Sequence, residues 1–168
     1  MSSLVVCVLA IGAVVACAGP PQERLPGSSQ SAAQSVVFVA DVVAAAERLP
    51  PGDLEASCTG KVMVTIDPTR RPPLNLSTAR FDLTLAGCAA DTVITDLHIH
   101  KGSEAVLALS AEVISLTLTN GSGSGRATNS SVKPTIIDEL VGDPAMFYVN
   151  LHSRRHPAGF MRGELRRG

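Results

Sequence analysis

At 168 residues the chain is long enough for one modest domain and an extension. Its 14 Lys and Arg against 15 Asp and Glu leave a net charge of -1, and aromatic residues make up 3% with no Trp. Neither the cationic surface that neutralises a phosphate backbone nor the platforms that stack single-stranded bases are present, so nucleic acid is not an expected partner.

In chain order, residues 4 to 18 read LVVCVLAIGAVVACA, fifteen apolar or small residues without a charge. A bilayer needs about 20, so this stretch reads as the core of a signal peptide covering residues 1 to 18, with a buried strand or an uncleaved anchor helix as the alternative. Ala16-Cys17-Ala18 offers a small-residue cleavage site, and Val14-Val15-Ala16-Cys17 resembles a lipobox in which cleavage before Cys17 leaves that residue lipidated. No Lys or Arg precedes Leu4. Either route exports the protein, which is expected to be extracytoplasmic, secreted or held at the cell surface, touching a membrane only through a lipid on Cys17. Residues 19 to 34, GPPQERLPGSSQSAAQ, cannot bury enough apolar surface to offset chain entropy and read as a flexible linker.

From Ser35 to Gly168 the hydrophobic period is two, the signature of half-buried strands. Val62, Val64 and Ile66 alternate with Lys61, Met63 and Thr65, and Phe81, Leu83 and Leu85 alternate with Asp82, Thr84 and Ala86. Further strands are expected at 36–45, 92–100, 106–109, 114–118, 146–152 and 160–165, separated by turn signals at 49–52, 67–68, 71–73, 121–125 and 156–159. About eight short strands at this spacing predict an antiparallel β-sandwich or barrel with an aliphatic core of Val, Leu, Ile and Ala. One short helix is expected near 135–141, where Pro134 opens PTIIDELV and Gly142 ends it. The Gly/Ser run at 121–125 fits no phosphate-binding or nucleophile-elbow pattern and reads as a flexible hairpin loop. Three N-x-[ST] sequons begin at Asn75, Asn120 and Asn129 and read as chance matches in a Ser-rich chain.

Of the four cysteines, Cys7 and Cys17 fall in the export segment, which leaves Cys58 and Cys88 as an even pair in the mature part. A disulfide between them suits an exported domain, two buried thiols being the alternative. The four histidines occupy two short stretches, Asp96-Leu97-His98-Ile99-His100 and Asn150-Leu151-His152-Ser153-Arg154-Arg155-His156. On a strand, His98 and His100 share one face, opposite Leu97 and Ile99, while His152 shares a face with Tyr148 and Asn150. Two such strands side by side would gather three imidazoles, as copper or zinc requires, or as loop-anchoring hydrogen bonds equally would. No spacing suggests a hydrolytic nucleophile.

At these residues the sequence resembles the chordin-type (CHRD) domain family. The matching elements are Phe38-x-Ala40, Glu47-x-x-Pro50-Pro51, Gly60, His98-Ile99-His100, Tyr148-Val149-Asn150-Leu151-His152 and Pro157-x-Gly159-x-x-Arg162-Gly163-Glu164-Leu165, covering roughly residues 35 to 168. Phe160 and Met161 stand where the family commonly has an acidic and an aliphatic residue. The resemblance implies an immunoglobulin-like β-sandwich without an established general activity. A more distant likeness to copper-zinc superoxide dismutase rests on His98, His100, His152 and Arg162, but no zinc loop with a bridging His and an Asp ligand accompanies them. Two functions follow as expectations. One is a non-enzymatic, cofactor-free extracytoplasmic module that meets an extracellular protein, a glycan or another surface component through Arg154, Arg155, Arg162 and the loops. The other is a metal-binding or redox protein using His98, His100 and His152 to hold copper or zinc.

Overall fold

The computed structural model describes residues 34–102 and 106–168 of the chain; the expected signal peptide, Cys17 and nearly all of the expected linker lie outside them. Strands occupy β1 (Val36–Val43), β2 (Thr59–Arg71), β3 (Leu76–Ala86), β4 (Val93–Lys101), β5 (Val106–Thr117), β6 (Gly123–Val132), β7 (Phe147–Ser153), β8 (Met161–Glu164) and β9 (Arg166–Arg167). Helix α1 (Pro134–Gly142) joins β6 to β7, with Pro134 in its first turn, where a missing N–H is harmless. Among the described residues no helix is long and apolar enough to cross a membrane.

All the strand pairs are antiparallel, and they form one continuous sheet in the order β5-β4-β7-β8-β1-β2-β3-β6, with β9 against β1. Its two ends come together. Asn120-Gly121 forms a two-residue turn with φ of 52° and 72°, closed by the Thr119 N–H to the Ser122 carbonyl at 2.8 Å and the reciprocal bond at 3.1 Å. That is the geometry in which Asn-Gly is favoured, because both central residues have positive φ. Further along, Asn129 Nδ2 donates to the Ser110 carbonyl at 2.6 Å, so β6 leans on β5 and the sheet is nearly closed, like a barrel.

The core follows the predicted alternation: Phe38, Ala40 and Val42 of β1, Val62, Val64 and Ile66 of β2, and Leu97, Ile99, Val149 and Leu151 of β4 and β7 are buried. It is not purely aliphatic, since Phe38, Phe81, Phe147 and Phe160 all lie fully buried within it. Three other expectations need correction. The stretches 106–109 and 114–118 are not two strands: one strand, β5, runs from Val106 to Thr117, and Leu118 follows its end. The run 121–125 is no flexible loop: the turn ends by Ser122, and residues 123–125 already pair with Leu83, Thr84 and Leu85 of β3. Strand β6 escaped the periodicity because its inward positions include Gly123, Gly125 and Ala127, and Gly125 leaves room for Leu116. Finally, Asp67-Pro68 does not end β2. The register shifts between Asp67 and Arg71, and an irregularity of that kind accommodates a proline that cannot donate to the ladder.

Cys58 and Cys88 are joined by a disulfide, their Cα atoms 4.2 Å apart, one residue beyond β2 and two beyond β3. The bond therefore continues the β2–β3 ladder past its last pairs. The Cys88 N–H donates to the Gly121 carbonyl at 3.0 Å, and a Cβ on Gly121 would collide with the Cys88 carbonyl, so the β5–β6 turn is seated on this cross-link.

Candidate functional site

Strand β7 lies between β4 and β8, and every one of its residues is buried, on both faces. Val149 and Leu151 point to the core, and Tyr148, Asn150 and His152 occupy the opposite face. Register then decides their neighbours: Asp96 is opposite His152, His98 opposite Asn150, and His100 opposite Tyr148. On the other side of β7, Asn150 is opposite Arg162 and Tyr148 opposite Glu164.

This arrangement brings His98, His100 and His152 together, one ring nitrogen from each lying within 4.8 Å of the others. The ring of His98 meets His152 edge-on at 4.5 Å between centroids and His100 at 5.6 Å. His152 Nδ1 lies 2.9 Å from the Pro157 carbonyl oxygen. A carbonyl only accepts, so Nδ1 carries the proton and Nε2 holds the lone pair. That Nε2 is buried and has no hydrogen-bond partner among the described residues. Burial, chiefly, and then the neighbouring His152 and His100 hold the pKa of His98 below its ordinary value of 6.5, against a smaller opposing pull from Asp96. Near neutral pH its imidazole is uncharged and able to donate a lone pair.

Beside the cluster, Tyr148 stacks with His100 at 5.2 Å and 23°, and the Arg162 guanidinium sits 3.4 Å from the Tyr148 ring centre. Arg162 is thus a cation–π partner next to the histidines. Arg154 and Arg155 are elsewhere. They lie in the turn after β7, where Arg155 pairs with Asp91 and the exposed Arg154 is tied down by its backbone N–H to the Val93 carbonyl at 2.9 Å. The fourth histidine, His156, is outside the cluster and contacts Asp53 Oδ2 at 3.0 Å. The backbone N–H of Glu55, most strongly, and His156 hold the Asp53 carboxyl below the usual range.

Several participants carry no periodic signal. Fully buried Glu55 accepts from Ser153 Oγ at 2.6 Å and pins the 53–57 turns to the end of β7, a contact across 98 residues that no local pattern encodes. Glu47 and Gly159 lie along the same face as Tyr148 and Asn150, bordering a groove; both belong to short motifs visible in the sequence, but their meeting depends on the fold.

The family model for the CHRD domain matches residues 38–165. No curated protein and no solved structure matches the chain.

Proposed function

Because the chain belongs to the CHRD domain family, we propose that it is an exported, non-enzymatic β module that holds a transition-metal ion, copper or zinc, through His98, His100 and His152. The observation that carries this reading is the state of His152: its Nδ1–H is committed to a backbone carbonyl while its buried Nε2 lacks a protein partner among the described residues. Metal-ligating histidines are oriented in this way, with the far ring nitrogen hydrogen-bonded so that the tautomer and ring plane are set in advance. The neutral state of His98 favours the same role, since protonated imidazole cannot ligate.

The dimensions also fit. Three nitrogens each about 2.0–2.1 Å from a tetrahedral ion are about 3.3 Å apart, so ring nitrogens within 4.8 Å of one another need only small rotamer shifts to close around it. Three histidines leave a fourth position for water or another small donor. From the family resemblance we infer that the nearly closed sheet is a variant of the immunoglobulin-like sandwich. The extracytoplasmic location rests on the apolar segment 4–18 and the Val14–Cys17 lipobox.

Chelator-treated protein titrated with Cu²⁺ or Zn²⁺ should bind one ion per chain and unfold at a higher temperature with metal than without, because an ion that binds only the folded state shifts the equilibrium toward it. A His98→Ala, His100→Ala double variant, folded by circular dichroism, should lose both effects. Equal binding by the parent and the double variant, or none by the parent, overturns the reading.

A further inference from the structure

We propose that the groove between residues 47–49 and β7 is a second, metal-independent site that binds an uncharged carbohydrate through its hydroxyl groups. The groove encloses about 500 Å³ and is lined by Glu47, Arg48, Leu49, Tyr148, Asn150, Ala158 and Gly159. A cavity of this size is in the range that small-molecule sites occupy.

Two acceptors from distant parts of the chain distinguish it. Glu47 Oε1 accepts the Arg48 backbone N–H at 2.8 Å, but Glu47 Oε2 is buried and has no hydrogen-bond partner among the described residues. The same is true of Oδ1 of Asn150, a residue only 7% exposed. Buried polar atoms are nearly always paired, and two unpaired oxygens bordering one groove are complementary to a ligand that brings donors. Gly159 gives the Asn150 amide its place at the groove: a Cβ there would stand 2.6 Å from Asn150 Oδ1, and its φ of 120° disfavours any side chain. A groove of similar volume on the outer sides of β2, β3 and β6 offers a contrast, because its carboxylate, Asp82, is already paired with Arg80 and Arg126.

Charge narrows the ligand class. The Glu47 carboxylate and the exposed Arg48 guanidinium flank the groove with opposite charges, so neither an anion nor a cation is favoured as a whole. An ammonium group, which only donates, would face Arg48, and a carboxylate or phosphate, which only accepts, would face Glu47 and Asn150 Oδ1. A hydroxyl does both, donating to Glu47 or Asn150 and accepting from Arg48. Leu49, 85% exposed, and exposed Ala158 supply an apolar wall for the C–H face of a sugar ring.

Saturation-transfer NMR on the purified chain with soluble cello-, xylo-, malto- and chito-oligosaccharides tests the proposal. At least one series should bind. Affinity should fall about ten-fold or more in Glu47→Ala, which removes a charged acceptor, and in Ala158→Phe, which fills the groove from its exposed side without entering the core. Chelator-treated and metal-loaded parent protein should bind the sugar equally, which separates failure of this site from failure of the metal reading. Absence of binding to every series, binding indifferent to both groove substitutions, or preferential binding of lysine peptides or of acetate overturns it.

Discussion

Two imidazoles on this face are set by their immediate surroundings rather than by sequence spacing. His152 is held in one tautomer by the Pro157 carbonyl, and His98 is held neutral by burial and by its two histidine neighbours. The second effect has a pH signature. Well above pH 6.5, the ordinary value for His98, the imidazole is uncharged in both the folded and the unfolded chain and contributes no pH dependence. As pH falls through 6.5 the unfolded chain takes up the proton first, because the folded-state pKa is lower, so stability declines until the folded pKa is also passed. Urea denaturation of chelator-treated protein should therefore give a lower midpoint at pH 5.5 than at pH 7.5. His98→Gln should reduce that difference, and an unchanged difference in the variant would assign it to other groups. Metal should be released over the same direction of pH change, since protons compete for the ligand nitrogens.

At the level of elements, strand pairing is reinforced where the hydrogen-bond ladder ends. The Cys58–Cys88 bond spans a sequence separation of 30 just beyond the Thr59–Ala86 pair, and the β5–β6 turn docks on it through Gly121. Closing a loop of that length contributes about 3–4 kcal/mol by chain entropy, a large part of a small domain's net stability. A Cys58→Ser, Cys88→Ser variant should lose about that much in denaturant titration, with the amides around 119–122 gaining hydrogen exchange before those of β4 and β7. A loss below about 1 kcal/mol would mean that packing alone holds this end of the sheet. A different tie operates between β8 and β1: a Cβ on Gly163 would strike the Asp41 carbonyl, so the Arg162-Gly163-Glu164 sequence places its one residue without a side chain where the two backbones come close. Asn75 and Asn120, two of the three sequon asparagines, have φ of 53° and 52°, turn conformations that asparagine tolerates and that explain its presence without glycosylation.

For the molecule as a whole, export is the expectation that governs where either ligand would be met. Mass spectrometry of the native product should find a mature N-terminus at lipid-modified Cys17 or near Gly19; retention of residues 1 to 17 would overturn it. What the sequence determined by itself rests on short-range pattern. Alternation at period two marked β2, β3, β4 and β7 and the face on which each histidine would stand, Pro134 and Gly142 bounded the helix, and an even pair of cysteines announced the cross-link. The identities in Tyr148–His152 and Pro157–Leu165 carried the family. Periodicity failed for β6, whose inward positions before Val132 are small or polar, and for Asp67-Pro68, where a register shift accommodates the proline that a sequence reading takes as a turn. Only the tertiary structure decided that β4 and β7 are neighbours in the register that sets His98 beside Asn150 and His152, that Glu47 reaches the Asn150 face, and that Glu55 is buried against Ser153. The reason is physical: strand periodicity states which way a side chain points, whereas sheet order, register and loop docking, set by the packing of the whole core, state what it meets there.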